Sequence, residues 1–404
     1  MRDAAPTARA RPAAWLILAA IVLIAVNMRG PFVAVAPVAK PLAAELGLTP
    51  GELGLLTGIP VLCFALASPL ASLTARRLGA EMAVTLTLLG VLAGVVIRSV
   101  DGTAVVMLGT VLLGVAITIG NIAVPLIIRR DFTKERQGMA MGVYTAALNV
   151  GSFVTSVATA PLAEVTGWRV ALAGSAVFAA VAIAFWAAAT GMRALRPEPV
   201  PPSPRTHDAG APAQRRSLTA VTIALLAGFG GQAFSYYGVT AWLPSILSDE
   251  LGFSPSAAGA GASLFQIIAI LGALGTPLLA RYAGTMTAVV VLGILWLSVP
   301  VGLLVAPELW PVWSSLGGAA QGGGITLIFT EINVIARDQA SAGRMSAIVQ
   351  GAGYAVAAAA PTLLGWIHSA AGSWSPPLVV VLVSVVAFLV GTGVAVRMAA
   401  RHHH

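Results

Sequence analysis

Charged residues are scarce in this chain of 404 residues: Asp, Glu, Lys and Arg make up only 9% of it, whereas hydrophobic residues make up 58%. Soluble globular domains contain about 25% charged and about 45–50% apolar residues. The scarcity of charge therefore excludes a cytosolic enzyme, a disordered protein and a nucleic-acid-binding protein. Cysteine is nearly absent as well, and the single Cys63 excludes both a disulfide framework and a cysteine-based metal site.

Motifs of enzymatic chemistry are also missing. No His, Asp and Glu cluster has metal-ligand spacing, and no serine has a plausible base, so we expect no metal, no cofactor and no enzymatic activity. The glycine runs at 228–231 and 317–324 lack the Gly-Lys-Ser/Thr that a phosphate-binding Walker loop requires. In apolar segments, such small residues let helices pack closely and bend. The histidines at 402–404 resemble a purification-tag remnant and are set aside.

Long apolar runs are what the chain does contain. A hydrocarbon core about 30 Å thick requires roughly 20 residues of helix. Runs of about this length lie at 14–38, 50–75, 82–99, 103–128, 138–160, 168–189, 218–247, 256–279, 286–306, 310–335, 345–369 and 374–397. We therefore predict an all-α integral membrane protein with twelve transmembrane helices.

One polar segment, 190–217, interrupts these runs and contains six prolines. We predict that it is a cytoplasmic linker between an N-terminal six-helix bundle at 1–189 and a C-terminal six-helix bundle at 218–401. With both termini cytoplasmic, nineteen Lys and Arg residues fall on the cytoplasmic side, and only Lys40, Arg98 and Arg169 fall in the outer loops. This asymmetry follows the positive-inside rule and predicts a multi-pass protein of the inner membrane.

The two halves also resemble each other at an offset of 205 to 207 residues. Segment 46–50 aligns with segment 251–255, and each ends in proline. Other matched positions are Gly54 with Gly259, Arg76 with Arg281, Gly79 with Gly284, Met139 with Met345, and Trp168 with Trp374. Duplicated six-helix halves with a substrate site at their interface are an architecture of secondary transporters.

These features together resemble the major facilitator superfamily over essentially the whole chain. The loop at 71–79, Ala-Ser-Leu-Thr-Ala-Arg-Arg-Leu-Gly, is similar to a signature of that family, although Ala75 stands where the signature has an acid. The resemblance implies two pseudo-symmetric six-helix bundles that carry a small-molecule substrate across the lipid bilayer by alternating access. We expect a monomer.

A narrower resemblance lies in the first span. Asn27-Met28-Arg29-Gly30-Pro31, followed by Pro37, is similar to the Asn-Leu-Arg-Pro…Pro pattern of the cyanate and nitroimidazole transporter branch, with Gly30 as an insertion. The resemblance implies a cyanate-like anion or a nitro-heterocycle as substrate.

Arg29 is the most informative residue, because it lies near the middle of its span. Placing a charged side chain there costs on the order of 2.5–3.5 kcal/mol of membrane-insertion free energy, and this is the lower of the published estimates. Gly30 and Pro31 weaken the helix beyond it. The planar guanidinium suits recognition of a small anion. The alternative is a structural arginine that binds freed carbonyl groups or a buried acid.

Glu331 is the only acidic residue within a span, so it is the candidate proton site. It lies roughly 7–8 Å from the end of span 10 at helical rise. We therefore favour a gate or a helix-end ion pair with Arg281, Arg337 or Arg344 over a midplane proton carrier. Arg76 belongs to the same predicted gating set.

Neutral polar residues within the spans complete the predicted binding site. They are Asn27, Asn121, Tyr144, Gln232, Tyr236, Gln266, Gln350 and Tyr354. Asn149 is left out because, five residues from Tyr144, it is not expected to point at the same cavity. His368 is predicted to be interfacial. Two alternatives stay open: a proton-coupled exporter of hydrophobic compounds and a non-transporting membrane sensor.

Overall fold

A computed structural model describes residues 14–197, 212–336 and 339–400, and within these ranges the chain is helical without any strand. The helices are α1 (Ala14–Val33), α2 (Ala39–Leu46), α3 (Pro50–Leu66), α4 (Ser68–Arg98), α5 (Thr103–Asp131), α6 (Lys134–Thr166), α7 (Trp168–Gly174), α8 (Ala176–Thr190), α9 (Pro212–Leu251), α10 (Pro255–Ala283), α11 (Thr285–Val305), α12 (Trp310–Ile335), α13 (Gln339–Ala371) and α14 (Ser375–Ala400). Short 3-10 turns lie at Ala36–Val38, Gly191–Leu195 and Pro307–Leu309.

These fourteen helices form the predicted twelve spans. Span 1 consists of α1 and α2, and span 6 consists of α7 and α8. Spans 2 and 3 meet inside α4, where Gly79 has a φ of 83° that breaks the helical course. Because a side chain disfavours this positive φ, glycine suits the position. Half of the linker predicted at 190–217, residues 198–211, lies outside the described residues, and its boundaries stay a prediction.

Most of these helices are suited to lipid by length and composition. Nine helical segments of the described ranges are long and apolar enough to cross a membrane. The other three crossings are α3, which has only 17 residues, and α9 and α12, whose sequences include glutamine, serine and glycine. The twelve-helix prediction is thus confirmed, and nine of the crossings also have the length and apolar composition that crossing a membrane requires.

The internal repeat is visible in the backbone as well as in the sequence. Gly47 and Gly252 have φ values of 65° and 68°, and Gly79 and Gly284 have φ values of 83° and 88°. Both members of each pair lie at the predicted offset of 205 residues, so equivalent turns in the two halves share one conformation. The match supports two pseudo-symmetric six-helix bundles.

The two bundles meet mainly at one end of the molecule, which we call the closed end, where α3 begins at Pro50 and α13 ends at Ala371. There α3 packs against α13, and α6 packs against α10. A Cβ on Gly54 would lie 2.5 Å from the Pro361 carbonyl carbon, and a Cβ on Gly259 would lie 2.6 Å from the Ser156 carbonyl oxygen. Repeat-equivalent glycines thus bring the bundles together on both sides. The opposite end, where α1 begins, is called the terminal end.

Polar contacts also join the bundles at the closed end. Lys40 and Asp249 form an ion pair of 2.5 Å across the interface, and the Ser156 hydroxyl donates to the carbonyl of Gly259 at 3.0 Å. Asp249 also accepts a hydrogen bond from the indole of Trp374. The ion pair is partly exposed, so we assign the closure chiefly to helix packing.

Within each bundle, glycines again decide how closely helices approach. Gly272 on α10 faces α12, and a Cβ added there would lie 1.8 Å from the carbonyl oxygen of Ala319. Gly275 on the same helix has no neighbour within 4 Å of an added Cβ.

We therefore expect Gly272→Ala to destabilise the protein by about 1–3 kcal/mol, because α10 and α12 must separate to admit the methyl group. Gly275→Ala is the matched control and should leave the unfolding temperature unchanged. Thermal unfolding of the purified variants in detergent measures both effects. Equal unfolding temperatures for the two variants would contradict the packing described here.

Candidate functional site

The exposure of α1 changes along its length. Leu18, Val22, Val26 and Arg29 are half-buried and follow one another at three- or four-residue spacing, so they share one face of the helix. Every residue from 30 to 39 is buried. In the repeat-equivalent α9, residues 228–247 are buried throughout, whereas the part nearer the terminal end is partly exposed. We interpret this face of α1 as the wall of a cavity that opens toward the terminal end, with Arg29 at its floor.

Arg29 contacts both bundles through its guanidinium. Its Nη1 donates to Oδ1 of Asn149 on α6 at 3.0 Å. Its Cζ lies 5.0 Å from the centre of the Tyr236 ring on α9, which belongs to the other bundle. A cation over an aromatic face at this distance is stabilised by about 0.5–2 kcal/mol. None of the ion pairs among the described residues includes Arg29, so its charge has no carboxylate partner there.

Two small residues place α1 against α6 and so bring Arg29 to Asn149. A Cβ on Gly151 would lie 2.4 Å from the carbonyl oxygen of Val26. A Cβ on Gly30 would lie 3.0 Å from Cγ2 of Thr155 and 3.1 Å from the carbonyl oxygen of Gly151. Close backbone approach through glycine is common between membrane helices. Asn149 itself is buried, and its amide nitrogen donates to the carbonyl of Thr145, which leaves Oδ1 directed at Arg29.

Tyrosines form the surroundings of Arg29. The chain contains five tyrosines, and four of them, Tyr144, Tyr236, Tyr237 and Tyr354, lie close enough to interact electrostatically with the guanidinium. Their rings contact one another and neighbouring phenylalanines: Tyr236 and Tyr237 have centroids 4.9 Å apart, and Tyr237 and Phe32 have centroids 6.0 Å apart. Phe32 and Tyr237 belong to different bundles, so this aromatic cluster spans the interface.

Hydrogen-bond donors in this cluster are only partly used. The Tyr236 hydroxyl donates to Gln266 at 3.2 Å, and the Tyr144 hydroxyl donates to Asn121 at 3.3 Å. The hydroxyls of Tyr237 and Tyr354 have no partner among the described residues, and neither do Nε and Nη2 of Arg29. One edge of the guanidinium and two phenols therefore remain available, and all of them can donate. The arrangement suits an acceptor-rich solute.

Two predicted lining residues point elsewhere. The Asn27 amide donates to the carbonyls of Leu23 and Phe178 at 2.8 and 3.0 Å, so it ties α1 to α8. The Gln232 amide donates to the carbonyl of Gln321 at 2.9 Å and is fully buried between α9 and α12. The prediction that these repeat-equivalent residues line the cavity was wrong for this conformation. Each hydrogen-bonds within its own bundle.

The remaining predicted residues support the tyrosines or lie beside them. Gln266 is buried and holds both Tyr236 and Thr240. Asn121 is half-buried and receives the hydroxyl of Tyr144. Gln350 is half-buried and donates to Ser346 at 2.6 Å, one turn from Tyr354 on α13.

The predicted gating ion pair does not form among the described residues. Glu331 is buried, with 6% exposure, and has no hydrogen bond or ion pair there. Arg281 is exposed and stacks on Tyr282, with Cζ 5.6 Å from the ring centre. Arg76 is also exposed, and Arg337 lies outside the described residues. The helix-end pairing of Glu331 with Arg281 was therefore wrong.

The charge contact at the terminal end involves Glu81, a residue that the sequence analysis overlooked. Glu81 is buried two residues after Gly79, and its carboxylate lies 2.7 Å from Nη1 of Arg130 on α5. Arg130 also binds Asp131 at 2.8 Å. No acidic residue in the loop at 71–79 replaces the acid that the family signature has at the position of Ala75. The nearby ion pair between Glu81 and Arg130 links α4 to α5 instead.

Tyr237 and Asn149 are the site residues that the sequence analysis missed. Tyr237 follows Tyr236 directly, and helical geometry alone places adjacent residues about 100° apart. Asn149 was left out because of its spacing from Tyr144, yet both contact the region of Arg29. The Tyr144 hydroxyl donates to Asn121 on α5, and Asn149 accepts from Arg29 on α1.

Comparison with known proteins identifies the class. The model of the Major Facilitator Superfamily matches residues 15–361. The chain belongs to this superfamily of membrane transporters, and the resemblance seen in the sequence is confirmed.

Three individual relatives show which members of the superfamily the chain is similar to. The chain is 32% identical over 365 residues to the 2-nitroimidazole transporter of Escherichia coli (strain K12), covering 90% of this chain and 91% of the relative. It is 31% identical over 382 residues to the uncharacterized transporter YycB of Bacillus subtilis (strain 168), with 92% and 91% covered. The cyanate transport protein CynX of Escherichia coli (strain K12) is 27% identical over 368 residues, with 89% and 91% covered.

Solved structures share the fold at low identity. A bacterial homologue of the human lysosomal transporter Spinster, in an inward-facing and unoccupied conformation, has a TM-score of 0.71 and 16% identity and covers 95% of this chain and 97% of its own. A peptide transporter, POT, has a TM-score of 0.74 and 15% identity, with 95% of each chain covered.

The uncompensated charge of Arg29 leads to a prediction about stability. Asn149→Asp replaces the amide oxygen that lies 3.0 Å from Nη1 with a carboxylate. The ligand-free protein should unfold at a temperature higher by a few degrees, because charge-assisted hydrogen bonds are about twice as strong as neutral ones. Asn333→Asp, at an exposed position on α12, is the control for added negative charge. Thermal unfolding that is the same for both variants would show that Arg29 is already neutralised.

Proposed function

We propose that this chain transports a small anionic or strongly polar solute by alternating access, with Arg29 as the anchor. The observation that carries the proposal is the guanidinium itself. It is half-buried at the cavity floor and has no acidic partner among the described residues. A charge at this depth is tolerated when it serves a water-filled cavity or a ligand. A role for Arg29 in anchoring the solute is therefore favoured over a structural role in which it binds freed carbonyl groups or a buried acid.

The relatives' names indicate the class of solute. Nitroimidazole and cyanate differ in shape, but each presents oxygen or nitrogen acceptors and carries no net positive charge. Nη1 of Arg29 donates its hydrogen bond to Asn149. The edge formed by Nε and Nη2 is therefore left for the solute. A nitro or carboxylate group has two oxygens in one plane and matches this edge as a fork. The ring of a nitro-heterocycle would then pack among the tyrosines.

The place where the two bundles touch supports alternating access. Their contacts concentrate at the closed end, while the cavity reaches Arg29 from the terminal end. Rocking of one bundle against the other would close the terminal end and open the closed end around the fixed site. The cation asymmetry supports a terminal end that faces the cytoplasm and therefore an inner-membrane protein with both termini inside. A monomer suffices for this mechanism, since the site is formed within one chain.

Arg29→Lys tests the anchor role. Lysine keeps the charge and loses the bidentate edge, so binding of 2-nitroimidazole should weaken about tenfold or more. Binding is measured as ligand-induced thermal stabilisation across cyanate, small carboxylates and nitroimidazoles, and transport is measured as flux into liposomes.

Arg281→Lys is the matched control, because Arg281 also stacks on a tyrosine but lies exposed, outside the cavity. If every solute stabilises wild type and Arg29→Lys equally, Arg29 is not the recognition group. Binding without any flux would instead favour the membrane sensor.

A second candidate is proton-coupled export of hydrophobic compounds, and the burial of Glu331 favours it. A carboxyl group that is 6% exposed and lacks a partner among the described residues is most stable when protonated. A conformational change that brings this carboxyl group into contact with water would favour its ionised form. Such a group could couple a proton to the conformational cycle.

Glu331→Gln tests the proton role. We expect that this variant loses transport driven by an imposed pH gradient in liposomes but keeps solute exchange, because glutamine mimics the protonated form and cannot release a proton. Glu308→Gln, at the closed end, is the control. Unchanged pH-driven transport in Glu331→Gln would remove Glu331 from the mechanism.

A further inference from the structure

Arg98 is an arginine that the structure buries, and the sequence analysis misplaced it. It was predicted as an outer-loop cation, yet it lies in the last turn of α4 with 1% exposure. Its Nη2 donates to the carbonyl oxygen of Pro31 at 2.5 Å. Its Nε and Nη1 are buried without a partner among the described residues. A buried, incompletely bonded guanidinium is unfavourable for stability, so its single contact requires an explanation.

The carbonyl that Arg98 binds is one that the backbone leaves unpaired. In a continuing α-helix, the Val35 amide would donate to the Pro31 carbonyl. Here the Val35 amide donates to Phe32 at 3.4 Å instead, and the Ala34 amide donates to Gly30 at 3.0 Å. The carbonyl of Pro31 is released where α1 ends, two residues beyond Arg29. A cation beside the carbonyl end of a helix also interacts favourably with the helix dipole.

The position of Arg98 is itself restrained by close helix packing. A Cβ on Gly109 of α5 would lie 2.4 Å from the backbone nitrogen of Arg98. A Cβ on Gly94 of α4 would lie 2.9 Å from the Gly109 carbonyl oxygen. The end of α4 therefore cannot shift toward α5, and Arg98 reaches α1 from a rigid base.

We propose that Arg98 is a positioning residue for Arg29. By binding the Pro31 carbonyl, it holds the end of α1 in place, and this keeps the preceding turn, with Arg29, against Asn149 and Tyr236. The inference rests on the proposed function, because it requires that Arg29 binds the solute. Arg98 itself lies in the sealed part of the bundle, beyond the cavity floor, so its effect on the solute passes through α1.

A double-mutant cycle with Arg98→Met and Arg29→Lys tests the coupling. The readouts are KM and maximal rate for 2-nitroimidazole in liposomes. We expect Arg98→Met to raise KM about tenfold, which corresponds to the loss of a hydrogen bond to a charged group, while the maximal rate stays within about twofold. In the Arg98→Met background, Arg29→Lys should have little further effect, because coupled residues are non-additive. Arg98→Lys, which keeps a cationic donor, should restore most of the affinity.

Thr110→Val is the control for lost stability near the same helix pair, since Thr110 is buried beside Gly109 and bonds only within α5. Its KM should equal that of wild type. If Arg98→Met and Arg29→Lys change KM independently, so that the double variant shows the product of the two fold-changes, the positioning role of Arg98 is overturned and the anchor role of Arg29 is not. No effect of Arg29→Lys in the wild-type background would overturn the anchor role, and the positioning role with it.

A ligand-free measurement covers the case in which Arg98→Met yields no active protein. Val33→Cys, in a Cys63→Ser background, places a thiol in the last turn of α1 at a position with 3% exposure. Thiol labelling should be slow with Arg98 or with Arg98→Lys and at least about tenfold faster with Gly109→Ala, because a helix end released from its partner opens locally. A labelling rate that Gly109→Ala leaves unchanged would overturn the proposal.

Discussion

The structure depends on one constraint: a permanent positive charge at the middle of a membrane-spanning helix has no acidic partner among the described residues. Arg29 is stabilised by neutral groups alone, namely the Asn149 amide and the face of Tyr236. Such groups lower the cost of burial and leave the charge uncompensated, so an anion or a strongly polar solute can still complete the site. An acid in place of Asn149 would satisfy the arginine permanently and remove the reason for a ligand to bind.

Helix packing places this charge where both bundles meet. Gly151 allows α1 to approach α6, and repeat-equivalent glycines at 54 and 259 join the bundles at the closed end. Arg29 is held by one bundle through Asn149 and touches the other through Tyr236. A solute bound there would therefore contact both moving parts, and this is the requirement for coupling binding to a conformational change.

Much of the fold could be predicted from the sequence, because apolar run length, charge placement and the repeat are local or periodic signals. Arg29 was identifiable for the same reason, since a charge inside an apolar run stands out. The residues that contact Arg29 could not be identified from the sequence. Helical spacing places a residue on a face but does not say which helix covers that face, and so Asn27 and Gln232 were assigned to the cavity while Asn149 was left out. Arg98 was misplaced because a cation at a span end can reach solvent or turn inward, and only the packing of α4 against α5 decides between these outcomes.

The most direct test of the central claim is to locate a bound solute. Diffraction from crystals grown with a bromine-substituted 2-nitroimidazole would place the bromine by its anomalous scattering. The account predicts one anomalous peak between the bundles, beside the Tyr237 and Tyr354 rings, with the nitro oxygens on the Nε–Nη2 edge of Arg29. A fully occupied peak elsewhere in the protein, with Arg29 still bonded only to Asn149, would contradict it.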